Sequence, residues 1–213
     1  MPTALPSPWH SIPLADYEGH MNLPEVGQAE MLADILERLL TRFRPVSVAI
    51  AGCAGGNGFE RIPPETQRVV GIDIDAEYIA AARVRHGTRF PRLELIVADL
   101  ERGERLTDPV DFVYAALLLE YLDLNAGMRE LRALCRPGAV LACVLQSPSA
   151  LPSVTPTPFA SLSALQSRMH LVDIDALLAT ASRLDLRCIE RNSIRLSSGK
   201  EFVTVVWVAE EEK

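Results

Sequence analysis

Val46-Ser-Val-Ala-Ile-Ala-Gly-Cys-Ala-Gly-Gly-Asn-Gly58 is the stretch from which the rest of the chain can be placed. A short apolar run stops in four glycines, Gly52, Gly55, Gly56 and Gly58. A buried parallel strand reads this way when it ends at a tight turn. Glycine permits positive φ and has no side chain, so a ligand can lie directly against the main chain. Further on, Gly71-Ile-Asp-Ile-Asp75 closes a second apolar run in acid. A glycine-rich turn with an acid at the next strand end is how an α/β sheet holds an adenosine at its edge. The plainer alternative is an ordinary β–α turn in which an aspartate caps a helix.

Outward from this stretch, strands and helices alternate. Strands are expected at 46–51, 69–73, 93–98, 110–115 and 139–145. Between them lie a short helical stretch near 57–62, a helix from Asp75 to Arg85 with Asp75 as its cap, and a helical region over 116–134 interrupted near Asp123. Arg136-Pro-Gly138 reads as a turn. Upstream, Leu23-Pro-Glu25 starts a helix whose apolar face (Val26, Ala29, Leu32, Ile35, Leu36, Leu39) runs to Phe43. Gln28 falls near its buried side, where an amide needs a partner. Downstream, 146–163 is rich in proline and serine, and a helix follows at 172–183. Leu186–Ile194 and Glu201–Val208 then flank Leu196-Ser-Ser-Gly-Lys200 as an antiparallel hairpin. The β–α rhythm predicts a doubly wound α/β sheet covered on both faces.

The 213 residues suit one domain, 1–213. Within it, 1–45 form an N-terminal arm and capping helix, 46–145 a cofactor-binding core, 146–170 a substrate-side insertion, and 171–213 the terminal helix and hairpin. Residues 1–22 are either a frayed tail or a lid carrying Trp9, Tyr17, His20 and Met21. Composition is that of a soluble globular chain, with no apolar run of membrane-spanning length and no export signal at the N-terminus. Cys53, Cys135, Cys143 and Cys188 lack metal or redox spacing and have apolar neighbours, which predicts buried thiols, no metal site and a cytoplasmic protein. Net charge is −7 without a basic stripe, so nucleic acid is excluded as a partner on electrostatic grounds.

In order and spacing these motifs resemble the class I S-adenosylmethionine-dependent methyltransferases over residues 46–209. The resemblance implies a Rossmann-like seven-stranded sheet, mostly parallel, with an antiparallel C-terminal hairpin. It implies S-adenosyl-L-methionine as cofactor and S-adenosyl-L-homocysteine as product. The first motif is similar to Ala51–Gly58, with Gly52, Cys53, Ala54 and Gly56 at the cofactor. Asp73 would bind the ribose hydroxyls, and Ile74 would lie on the adenine face. Asp99 would accept from the adenine amino group beside the Leu100 amide. Asp16-Tyr-Glu-Gly-His-Met21 resembles the entry segment of some bacterial small-molecule methyltransferases, in which the tyrosine, here Tyr17, closes over the cofactor. Two positions depart from the pattern: the acid expected before the first glycine is Ile50, and the second glycine is Ala54. An alanine is tolerated there at negative φ. The ligand's ammonium would then rely on backbone carbonyls such as Gly52 and Ala115.

Methyl transfer needs an aligned nucleophile and exclusion of water, and a hydroxyl or protonated amine acceptor also needs a base. His20, His170, Glu120 and Tyr121 are the candidates, each expected at the sheet's carboxyl edge or its cover. The acceptor is expected to be a small molecule bound near Gln146, Phe159 and Met169, with no membrane partner and a homodimer allowed. A nicotinamide-dependent oxidoreductase is the competing enzyme class, but Ala54 and Asn57 occupy its second and third glycine positions. A methyltransferase-like scaffold without catalysis is the other alternative, kept open by Ile50 and Ala54.

Overall fold

A computed structural model describes residues 7–103 and 106–211. Seven strands form one sheet: β1 (Ser47–Ala51), β2 (Arg68–Asp73), β3 (Leu93–Val97), β4 (Val110–Ala116), β5 (Cys135–Gln146), β6 (Leu186–Arg195) and β7 (Glu201–Ala209). Their order is β3-β2-β1-β4-β5-β7-β6. The first five strands are parallel, and β7 runs antiparallel to both β5 and β6. The expected doubly wound, Rossmann-like sheet with a reversed terminal hairpin is therefore the observed one.

Helix α1 (Leu14–Met21) is short and belongs to the N-terminal arm. Alternation along the strands feeds two cores. Val48 and Ile50 of β1 pack with helix α2 (Gln28–Phe43) and helix α3 (Ala76–His86). Ala49 and Ala51 face the other core, which takes in helix α4 (Leu124–Ala133) and helix α5 (Ile174–Ser182). A third, smaller cluster joins Ile12 of the arm to Val154, Leu162 and Leu165 of the insertion, with Trp9, Tyr17 and Tyr121 against it.

Several boundaries differ from the sequence expectation. The long helix starts at Gln28, not at Leu23, because the Leu23 carbonyl accepts from the Val26 and Gly27 amides and closes a separate turn. Gly27 then takes φ +60, which breaks the helix before it restarts. Arg136–Gly138 is an irregularity inside β5, not a turn between elements: Val110 pairs with Cys135, whereas Phe112 pairs with Val140. Cys53, Cys135 and Cys143 are buried as expected, but Cys188 is exposed. It lies on the edge strand β6, beside a break in register between Cys188 and Glu190. Asp75 caps α3 as expected, accepting from the Glu77 and Tyr78 amides at 2.8 and 3.0 Å, and the structure adds Asp123 and Asp173 as caps of α4 and α5.

Candidate functional site

Because β1 to β4 are parallel, their carboxyl ends share one edge, and the strand order reverses between β1 and β4. A crevice opens at such a switch point. Here it is a cleft of about 980 Å³ lined by Gly52, Ala54, Asp73, Ile74, Asp99 and Leu100. Trp9, His10 and Tyr17 of the arm line it too, with Tyr78 of α3. Cofactor and ligand pockets of roughly 300–1,000 Å³ are usual, so a nucleoside-sized ligand fits.

Asp73 ties the site together. Its carboxylate accepts from the Ala54 amide at 2.8 Å and from the Asp75 amide at 3.0 Å. Burial raises its pKa above the usual carboxylate value, and these two amides work against that rise. The backbone of the turn is anchored to the same strand: the Gly52 and Cys53 amides both donate to the Ile72 carbonyl. Ala54 takes φ +46, not the negative value at which an alanine is tolerated. The Asp73 bond fixes that amide, so the alanine is held in the left-handed region despite its Cβ. Asp99 follows β3 and accepts from the Glu101 amide at 3.0 Å, with the Arg102 guanidinium 3.7 Å from its other oxygen.

Three residues named from the motif have side chains or Cα positions outside this cleft. Cys53 is buried, its thiol pushed up in pKa by burial, and its sulfur lies toward the core beside Phe59. Gly56 (φ +84) is packed under His86, and Ala115 is buried within β4 between Ala51 and Cys143. Ile50 likewise faces the α2 core at 4% exposure.

The four acid–base candidates separate. Tyr121 and His170 line the cleft, and His170 is exposed there, its amide donating to the Glu120 carbonyl. Glu120 is fully buried and lines neither the cleft nor the smaller cavity beside it; one oxygen accepts from the Gln146 amide at 2.8 Å. Burial pushes its pKa up to about 7. His20 is buried and lines that smaller cavity, together with Gln28, Gln146 and Met169. Phe159, expected beside them, instead lies against Gly19 of α1, where an added Cβ would sit 2.5 Å from its ring.

Several residues at the site carry no signal in the sequence. Tyr78 lines the cleft while its hydroxyl donates to the Ile12 carbonyl at 2.8 Å. Leu117, at the end of β4, takes φ +52 on the cleft wall, its amide held by the Val144 carbonyl. Nothing in a single leucine announces that strain. Lys200 in the hairpin turn is only 3% exposed, bonded to the Gln146 side chain and the Ser153 carbonyl.

Residues 48–138 match the family described as a methyltransferase domain. The strand order above is that of the class I methyltransferase fold. No curated protein matches it. Among solved structures it resembles the N-methyltransferase NodS from Bradyrhizobium japonicum in complex with S-adenosyl-L-homocysteine: TM-score 0.68, 17% identity, covering 89% of this chain and 90% of that one. A putative methyltransferase from Bacillus halodurans aligns with TM-score 0.65 and 12% identity over 84% of this chain and 99% of that one. The [4+2]-cyclase SpnF aligns with TM-score 0.64 and 13% identity over 84% and 82%. At these identities the likeness is one of fold. The reversed β7 also separates the chain from the all-parallel order of nicotinamide-binding sheets. Among the described residues no helix is long and apolar enough to cross a membrane.

Proposed function

We propose that this protein is an S-adenosylmethionine-dependent methyltransferase acting on a small molecule. The observation that carries the reading is convergence: Asp73 after β2, Asp99 after β3 and the Gly52–Ala54 turn after β1 open onto one cleft at the switch point. In this reading Asp73 takes the ribose hydroxyls, Ile74 lies on the adenine face, and Asp99 with the Leu100 amide reads the adenine edge. Tyr17 covers the ligand from the arm. The bound cofactor would supply a methyl carbon activated by a sulfonium. The protein's part is to hold that carbon in line with a nucleophile and to keep water out. With Ile50 in the core, the ligand's ammonium is left to backbone carbonyls such as Gly52, at a cost of about 1–3 kcal/mol relative to a charged partner.

The test is calorimetric titration with S-adenosyl-L-homocysteine. Wild type should bind, Asp73→Ala should lose binding, and Asp73→Asn should fall between. Undiminished affinity in Asp73→Ala refutes the assignment. A non-catalytic binding role is the second reading. It is favoured by Ile50 facing the core and by the occurrence of this fold in a protein described as a cyclase. No heat from wild type at millimolar ligand would select it.

A further inference from the structure

Beside the cofactor cleft is a second cavity of about 50 Å³, and Trp9, Tyr17, Leu117 and Tyr121 line both. His20 Nδ1, Gln146 Nε2 and Thr155 Oγ1 are buried without a hydrogen-bond partner among the described residues, and all three belong to residues lining this cavity. Buried polar groups are nearly always paired, so three unpaired ones around one void point to something they are built to hold.

We infer that this cavity is the acceptor's subsite and that it takes the hydroxyl of a small aromatic alcohol, a phenol, between Gln146 and His20. The inference rests on the methyltransferase reading and narrows it to oxygen methylation.

Gln146 is clamped twice. Its backbone amide donates to Glu120 Oε1 at 2.8 Å, and its side-chain oxygen accepts from Lys200 Nζ at 3.3 Å. An ammonium can only donate, so the amide oxygen must face Lys200 and the NH₂ must face away from it. Lys200 is itself held by the Ser153 carbonyl at 2.7 Å. The NH₂ group has no acceptor function, so its missing partner is an oxygen lone pair on the ligand. His20 supplies the complementary group. Burial and the nearby Lys200 charge lower its pKa, against a smaller opposing pull from Glu25, so the imidazole is neutral and Nδ1 can accept a proton. One hydroxyl satisfies both: its oxygen accepts from Gln146, and its proton points at His20. A carboxylate would leave His20 without a proton to accept, and an ammonium would leave the Gln146 NH₂ unpaired. Apolar Met21, Val154, Leu162 and Met169, with Trp9 and Tyr121, suit an aromatic frame. The void is large enough for the reacting group alone, so the ring would lie toward the shared aromatic wall.

The step balances. The hydroxyl oxygen attacks the methyl carbon with a lone pair while its proton passes to His20 Nδ1. The carbon–sulfur bond breaks with its electron pair going to sulfur, leaving an ether, a neutral thioether and an imidazolium.

The experiment titrates the 213-residue chain, saturated with S-adenosyl-L-homocysteine, with phenol, benzoate and toluene, and follows Trp9 fluorescence in a Trp207→Phe background. Phenol should bind at least tenfold more tightly than either comparator. Gln146→Leu should weaken phenol at least tenfold and leave the nucleotide affinity unchanged. With S-adenosyl-L-methionine present, His20→Asn should lower kcat for anisole formation at least a hundredfold with KM within threefold. Should a polar variant fail to fold, Met169→Trp fills the void without removing a polar group and must also abolish phenol binding. Benzoate preferred over phenol, or phenol binding unchanged in Gln146→Leu or Met169→Trp, overturns the inference. Failure of wild type to bind the nucleotide would instead refute the cofactor reading, and phenol titrated alone would still report on the cavity.

Discussion

Ala54 and Ile50 are the two positions where a familiar turn departs from its pattern, and they differ in kind. Ala54 is strained: at φ +46 its Cβ crowds the following carbonyl, at a cost of about 1–2 kcal/mol. Glycine would remove that strain and lose about 0.5–1 kcal/mol to unfolded-chain entropy. Ala54→Gly should therefore raise unfolding stability by about 0.5–1 kcal/mol in urea titrations, and a loss of stability would show that the left-handed conformation is not strained. Ile50 is simply elsewhere. Its side chain lies among Met31, Ile35 and Phe112, so a carboxylate placed there would be an unpaired buried charge. Ile50→Asp should destabilise by about 3–5 kcal/mol without tightening S-adenosyl-L-homocysteine. A tighter, folded variant would mean that the strand can turn this residue toward the ligand.

Elements whose signal is local are legible in the sequence. The strand runs, the glycines, Asp73, Asp99 and the Asp75 cap each report on their own neighbourhood. Helix α1 is not legible as a helix, because its eight residues, Leu14–Met21, are held by distant partners. Glu18 pairs with Arg85 of α3 at 2.5 and 3.0 Å, and Asp16 accepts from Ser161 of the insertion at 2.6 Å. The second cavity is only half visible for the same reason. Gln146 and Met169 can be placed near an acceptor, but Lys200 reaches Gln146 only because the hairpin folds its turn back over β5. The arm is thus fastened to the glycine-rich turn: Arg85 donates to the Gly55 carbonyl at 3.2 Å as well as to Glu18. Arg85→Ala should free α1 from that turn. Amide exchange across residues 14–21 should accelerate, and S-adenosyl-L-homocysteine affinity should fall several-fold with little change in global stability. Faster exchange without any loss of affinity would reduce the arm to a structural strap.

At the scale of the whole molecule, two cores sandwich the sheet, and Glu120, His20 and Lys200 are buried where sheet, arm, insertion and hairpin turn meet. That placement makes global stability report on the site. Glu120 is fully buried and its pKa is raised to about 7 from 4.5, chiefly by burial. Between those values the folded chain holds a proton that the unfolded chain has released, so stability falls as pH rises from 4.5 to 7. The shift corresponds to about 3 kcal/mol. Lys200 acts in the opposite sense at higher pH: burial lowers its pKa to about 8 from 10.5, so the unfolded chain binds more protons in that range and stability rises with pH. His20, also lowered, costs stability as pH falls below 6.5, which offsets part of the Glu120 gain. Glu94 is a separate case, since its bonds from Arg68 hold it down to about 2 and its contribution is lost progressively as pH falls from 4.5 to about 2. Glu120→Gln removes one of these titrations and keeps an acceptor for the Gln146 amide. Urea unfolding at about pH 5 and about pH 8 should show the variant gaining about 2–3 kcal/mol over wild type at the higher pH relative to the difference at the lower. The same pH slope in both proteins would mean that Glu120 stays ionised in the folded chain, with a partner on its second oxygen.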